Sequence, residues 1–202
     1  MAPKLKIAVL ISGSGTNLQA ILDACSDHTL AAEVVVVVSN KRKAYGLTRA
    51  REAGVPTEVR SLGKHLRAGG SRDGFDAELA RMVAEVYAPD LVVLAGWMLI
   101  LSPSFLDQFP GKVLNLHPAL PGQFAGTHAI QRAHEAFLAG EITHTGVMVH
   151  WVVPEVDAGP TVAVAEVPIH PGESVDELEE RIHRTEHQLM VEAIGEVIRN
   201  ES

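Results

Sequence analysis

Five consecutive valines, Val34 to Val38, set the first limit on what this chain can fold into. A run of β-branched residues has no polar face to offer water, so Glu33 to Ser39 reads as a strand buried on both faces, the kind found inside parallel sheets. Parallel neighbours need long return connections, usually helices, and the flanking sequence has them. Lys6 to Ser12 reads as another buried strand, followed by the loop Gly13-Ser14-Gly15-Thr16-Asn17 and a helix whose inner face is Leu18, Ile21, Leu22 and Cys25. Ala44 to Ala53 predicts a helix stopped by Gly54 and Pro56, and Pro56 to Val59 a short strand. Leu62 to Arg72 reads as a connection, after which Asp73 caps a helix with the stripe Phe75, Leu79, Met82, Val83 and Val86. Leu91 to Ala95 and Val113 to His117 are further strands, separated by a helical turn that Ser102-Pro103 opens.

Beyond Pro118 the pattern changes. Ile130 to Ala139 predicts a helix closed by Gly140, and Thr145 to Val153 and Thr161 to Val167 predict two strands. The turn-rich stretch between them, Pro154 to Pro160, is too short for a crossover, so the pair is antiparallel. Ser174 and Glu177 form a capping box for a last helix with Leu178, Ile182, Leu189, Ala193, Ile194 and Val197 on its buried face. The expected fold is α/β: a three-layer, mostly parallel Rossmann-like sheet with an antiparallel C-terminal part. A length of 202 residues suits one core, hence a single domain over 1–202. The formal net charge of −8, without a basic stripe interleaved with aromatics, disfavours nucleic acid as a partner, although backbone N–H groups can still hold one small anion. The single Cys25 rules out an internal disulfide and fits a reducing compartment. No basic-then-apolar leader or run of membrane-spanning length is present, so no membrane partner is expected and the cytoplasm is the expected location.

Ligands of open α/β sheets sit at the carboxyl ends of strands, where Gly13 to Asn17, Gly96 to Leu101 and His117 to Gly126 fall. The stretch Val113-Leu114-Asn115-Leu116-His117-Pro118 says most. Alternate strand residues share a face, so Asn115 and His117 project together, and Pro118, with no N–H to donate, ends the strand. An amide donor beside an imidazole suits the stabilisation and protonation of a developing oxyanion; a histidine bonded to a nearby carbonyl is the plain alternative. Asp157, in Val156-Asp157-Ala158-Gly159-Pro160, reads as a turn former, but beside His117 it would raise that histidine's pKa, as a general acid near neutral pH requires.

Gly13 and Gly15 give Gly-x-Gly, yet Leu18 stands where a dinucleotide fingerprint wants its third glycine, and no Gly-Lys-Ser/Thr follows. NAD is disfavoured; a single-phosphate site at a helix N-terminus and a plain tight turn both stay open. His183-Arg184-Thr185-Glu186-His187 matches the zinc pattern H-x-x-E-H, but Glu192 and Glu196 continue the same helix and cannot fold back as a further ligand, so no metal is expected. His144 and His150 share a strand face too far apart for a metal pair, which leaves His150 able to line the crevice of His117. Met98 to Leu101 read as core, or as the wall of an apolar slot for a flat heterocycle.

In this order along nearly the whole chain, Ser12-Gly13-Ser14-Gly15-Thr16-Asn17-Leu18-Gln19, Ser39-Asn40-Lys41, Ala95-Gly96-Trp97-Met98, Asn115-Leu116-His117-Pro118 and Asp157-Ala158-Gly159 resemble the phosphoribosylglycinamide formyltransferase family. The resemblance implies formyl transfer from 10-formyltetrahydrofolate to the amine of glycinamide ribonucleotide in purine synthesis, without a metal. It implies that Asn115 bonds the formyl oxygen, His117 donates a proton and Asp157 raises the pKa of His117. Gly15, Thr16 and Asn17 would hold the ribonucleotide phosphate, and His183 and Glu186 would face the glycinamide end. Arg72, Met98, Leu99, Ile100 and Leu101, with Asn115 and Val153, Pro154, Glu155, Val156 and Asp157, would form the folate pocket. Small-molecule substrates are the implied partners, with a homodimer left open. Departures from the family pattern are Leu99, Ala119, Leu120-Pro121-Gly122 and Met148, and they leave the three catalytic positions intact. Relatives that hydrolyse formyltetrahydrofolate or formylate methionyl-tRNA share the trio but resemble longer chains with an added domain, and the acidic balance disfavours tRNA. A non-catalytic phosphate-binding module would keep the Gly13 to Asn17 loop and has no need of Asn115, His117 and Asp157 together.

Overall fold

The computed structural model describes residues 4–200, which form two compact units divided in the chain between Leu114 and Asn115. In the first, β1 (Leu5–Ile11) lies between β2 (Ala32–Ser39) and β4 (Leu91–Leu94), and β3 (Thr57–Val59) adds outside β2, all parallel. Val9 stands opposite both Val37 and Val93. The connections carry α1 (Thr16–Ser26), α2 (Gly46–Glu52), α3 (Leu62–Arg67) and α4 (Arg72–Met82), with α5 (Pro103–Leu106) after β4. β5 (Val113–His117) begins in the first unit and ends in the second. The second unit continues with α6 (Ala129–Leu138), β6 (His144–Trp151), β7 (Thr161–Pro168) and α7 (Val175–Asn200). β6 and β7 are antiparallel, as their short connection requires, and the strand order is β3-β2-β1-β4-β5-β6-β7. The mostly parallel α/β sheet with an antiparallel C-terminal part is the fold the sequence predicts.

The valine run is buried more selectively than composition implies. Val36, Val37 and Val38 are fully enclosed, whereas Val34 and Val35 are half-buried and Glu33 is exposed. The register explains it: Ile7 pairs with Val34 but Ala8 with Val36, so Val35 is the extra residue of a bulge. Residues 62–67, expected to be a connection, form α3, because the Ser61 hydroxyl accepts the Lys64 N–H and caps a helical turn. Likewise Ser71, not Asp73, caps α4, its hydroxyl accepting the Gly74 N–H at 2.9 Å. Asp73 turns instead to the hydroxyls of Ser102 and Ser104, at 3.0 and 2.6 Å. Past Met82 the helix widens into a π-helical segment, Val83–Tyr87, which shifts the 3.6-residue phase. Val86, expected on the inner stripe, is thereby swung out to 66 % exposure, while Val83 stays buried.

Two local devices match expectation. Ser174 and Glu177 make the reciprocal capping box, the Ser174 N–H donating to Glu177 Oε2 at 2.8 Å and the Glu177 N–H to Ser174 Oγ at 3.3 Å. All six predicted inner positions of α7 are buried. On α1, Leu18, Ile21 and Leu22 face inward, but Cys25 is only half-buried; burial still pushes its thiol up to about 11. Among the described residues no helix is long and apolar enough to cross a membrane.

Candidate active site

In the first unit, the chain leaves β1 into a loop that only glycine can form. Gly15 adopts φ 72°, and a Cβ there would meet the Gly46 Cα at 2.6 Å, so α2 abuts the loop directly. The Gly46 N–H donates to the Gly13 carbonyl at 3.1 Å, and Arg49 Nε donates to the Ser14 carbonyl at 3.0 Å. With two carbonyls held from α2, the loop is braced before α1 begins. α1 starts with Gly15 as N-cap, no side-chain cap and no acidic residue in its first turn. Its first N–H groups and the positive end of its dipole therefore suit an anion. Thr16 is half-buried and Asn17 buried beside this turn.

Buried Ser12 accepts the Met98 N–H at 2.9 Å and so ties the end of β1 to the segment after β4. There Met98 and Ile100 are about two-thirds exposed, Leu99 is half-buried and Leu101 is core. Arg72 joins them: its guanidinium donates to the Ile100 carbonyl and, at 3.2 and 3.3 Å, to Asp76 Oδ2. Asp76, wholly buried, also accepts the Ser102 N–H at 2.9 Å. Asp76 is a site neighbour that the sequence reading passed over; its signal was the i,i+4 spacing from Arg72.

The second unit assembles the remaining chemistry. Asn115, half-buried, and His117, 4 % exposed, leave β5 on one face, as alternation requires. Asp157 is carried to them by a turn in which it adopts φ 53° and a Cβ on Gly159 would lie 1.7 Å from the Trp151 carbonyl. Asp157 Oδ2 faces His117 Nδ1 at 3.2 Å and accepts the Gly126 N–H at 2.8 Å. Its other oxygen accepts an N–H from Asn115 at 3.2 Å. His150 completes the group. Its Nδ1 lies 3.0 Å from the Trp151 carbonyl, which can only accept, so Nδ1 carries the proton and Nε2 accepts the second Asn115 N–H at 3.1 Å. The register shift beside His150 puts the extra residue, Val162, on β7, so the pairing gives no break in the alternation along β6 itself.

The electrostatics of the group pull in two directions. Asp157 does favour the charged form of His117, but burial outweighs it and leaves the imidazole below its ordinary value of 6.5. His117 is thus neutral at pH 7, its Nδ1–H directed to Asp157; Nε2 is buried and makes no well-formed hydrogen bond among the described residues, while the Phe124 and Gln123 backbone favours the charged ring. Burial raises the Asp157 carboxyl, yet the adjacent His150 ring, the Gly126 N–H and the His117 ring leave it net below the usual range. Of the other segment expected here, Val153 is half-buried and Pro154, Glu155 and Val156 are exposed. On α7 Glu186 is buried, and His183 faces Glu179, Nε2 to Oε1 3.7 Å.

A strand-end amide, a buried imidazole and a carboxylate in one hydrogen-bonded group are chemically suited to acyl transfer, and the chain belongs to the formyl transferase family, whose model matches residues 5–194. Within it the chain falls among the phosphoribosylglycinamide formyltransferases. It is 47 % identical over 196 residues to that enzyme of Dictyostelium discoideum, covering 93 % of this chain and 95 % of the relative. The Schizosaccharomyces pombe enzyme of the same name is 50 % identical over 200 residues, covering 95 % and 96 %. The crystal structure of glycinamide ribonucleotide transformylase 1 from Symbiobacterium toebii superposes with a TM-score of 0.89 at 41 % identity, over 96 % of this chain and 88 % of that one.

Proposed function

We propose that this protein transfers the formyl group of 10-formyltetrahydrofolate to the amine of N1-(5-phospho-D-ribosyl)glycinamide, giving the N-formyl product and tetrahydrofolate, as a metal-independent step of de novo purine (IMP) biosynthesis in the cytoplasm. One formyltransferase domain over 1–202 would carry it. The observation behind this reading is the Asn115, His117 and Asp157 group, with His117 Nδ1 on the carboxylate at 3.2 Å and no well-formed hydrogen bond on Nε2 among the described residues.

Bound 10-formyltetrahydrofolate supplies an electrophilic formyl carbon and a leaving nitrogen. Asn115 turns one N–H, spent in the free protein on His150 or Asp157, to the oxygen on which charge develops. His117 Nε2, a lone pair when the ring is neutral, takes the proton released as the substrate amine bonds to carbon. The same nitrogen returns it to the leaving nitrogen as that bond breaks, so the histidine ends as it began. Asp157 stabilises the transient imidazolium, a role its charge supports even though burial sets the resting state. Gly15, Thr16 and Asn17 bind the phosphate, and His183 and Glu186 the glycinamide end. Arg72, Met98, Leu99, Ile100, Leu101, Asn115 and Val153 to Asp157 bind the folate. The apolar side chains of Met98 and Ile100, exposed in the free protein, suit a flat heterocycle.

The test is optical formation of deformylated folate in chelator-treated protein, with and without the ribonucleotide. Turnover that requires the ribonucleotide, survives the chelator and falls on the order of 10²–10⁴-fold in His117→Ala is expected. Turnover without the ribonucleotide would instead make the site a hydrolase.

A further inference from the structure

The segment between β5 and α6 holds two non-glycine residues in the left-handed region, Phe124 at φ 45° and His128 at φ 57°. Such backbone persists only where its surroundings hold it, and Arg132 supplies two contacts to this segment. From the first turn of α6 it donates through Nη1 to the Ala125 carbonyl at 2.8 Å, and its guanidinium lies 5.6 Å from the Phe124 ring centroid. The carbonyl it grips and the Gly126 N–H that reaches Asp157 Oδ2 at 2.8 Å belong to one peptide group. A trans peptide is planar, with its C=O and N–H pointing in opposite directions, so fixing the oxygen aims the hydrogen. The cation on the oxygen also polarises the group and makes its N–H a better donor.

We propose that Arg132 is a positioning residue for formyl transfer: through the 125–126 peptide it holds the Asp157 carboxylate ionised and aligned with His117. This rests on the function proposed above. The groups facing Asp157 are His117 and Asn115 from β5, His150 from β6 and the Gly126 N–H. Arg132 touches none of them directly, and its exposure on α6 makes its replacement a mild change for folding.

Steady-state kinetics against pH in Arg132→Ala and Arg132→Lys test the proposal. The alanine variant is expected to lose about tenfold in kcat while both KM values stay within about twofold, as for removal of one charge-assisted bond. Its acid limb should move to higher pH, because a carboxylate deprived of a donor becomes more basic and holds the adjacent His117 ring in its charged form to higher pH. Lysine, still able to donate to the Ala125 carbonyl, should restore most of the rate. An unchanged kcat and acid limb, or a lower kcat with an unmoved limb and no rescue by lysine, would overturn the proposal. His117→Ala in the same assay separates the two ideas: if it is as active as the parent, the reading of the whole site falls. If it is inactive while Arg132→Ala is normal, only the role of Arg132 falls.

Discussion

His117 shows how far a single residue can be read before the fold is known. Its neighbour on the same strand face, Asn115, was legible from alternation alone, and so was the strand end at Pro118. The sign of its net pKa shift was not. That depends on tertiary burial against a carboxylate some forty positions away, and burial prevails. Titrated by NMR of the ring protons, His117 should therefore charge below 6.5, the ordinary imidazole value, and Asp157→Asn should move it lower still, since the aspartate is the main upward influence. A titration at or above 6.5, or an upward move in the variant, would reverse the assignment of causes. His150 was legible only as a wall of the crevice, because its contact with Asn115 joins residues 35 positions apart in the sequence.

Among the elements, regular pieces were readable and irregular ones were not. β5, β6 and β7 and the inner face of α7 follow from period-two and period-3.6 patterns and from one capping box. α3 was missed because its cap, Ser61, opens a segment with three glycines, Gly63, Gly69 and Gly70, and no apolar stripe. Val86 was misplaced because a π-helical segment keeps the residue pattern and changes the geometry. The turn carrying Asp157 is the element most open to test. Gly159 packs against the Trp151 carbonyl with no room for a methyl group, and the Trp151 N–H donates to the Pro160 carbonyl at 2.9 Å. Gly159→Ala should cost about 3 kcal/mol in urea or thermal unfolding, at the upper end for overpacking, and lower kcat by displacing Asp157. A variant as stable as the parent would show that the turn gives way easily.

On the scale of the whole molecule, the ionisable groups predict how acid unfolds it. His117 lies below its ordinary value in the folded state, so the unfolded chain binds more protons just under pH 6.5; that stability is complete above 6.5 and is lost as pH falls from there. Asp157, Glu173 and Glu177 lie below theirs, so their contributions are present above 3.8 for the aspartate and 4.5 for the glutamates and fade as pH falls further. Melting temperatures should decline gently below pH 6.5 and steeply below 4.5; a maximum near pH 5 would contradict these signs. The chain-wide alternation of strand and helix made the α/β sheet legible, while the joint action of distant residues became visible only once β5 and the Asp157 turn were seen together. One further consequence lies in α1. With a single thiol held protonated to about 11, the protein at neutral pH should react sluggishly with maleimides and alkylating reagents. Once labelled under alkaline conditions, Cys25 would report from one address alone, on the helix that opens at the Gly13 to Asn17 loop.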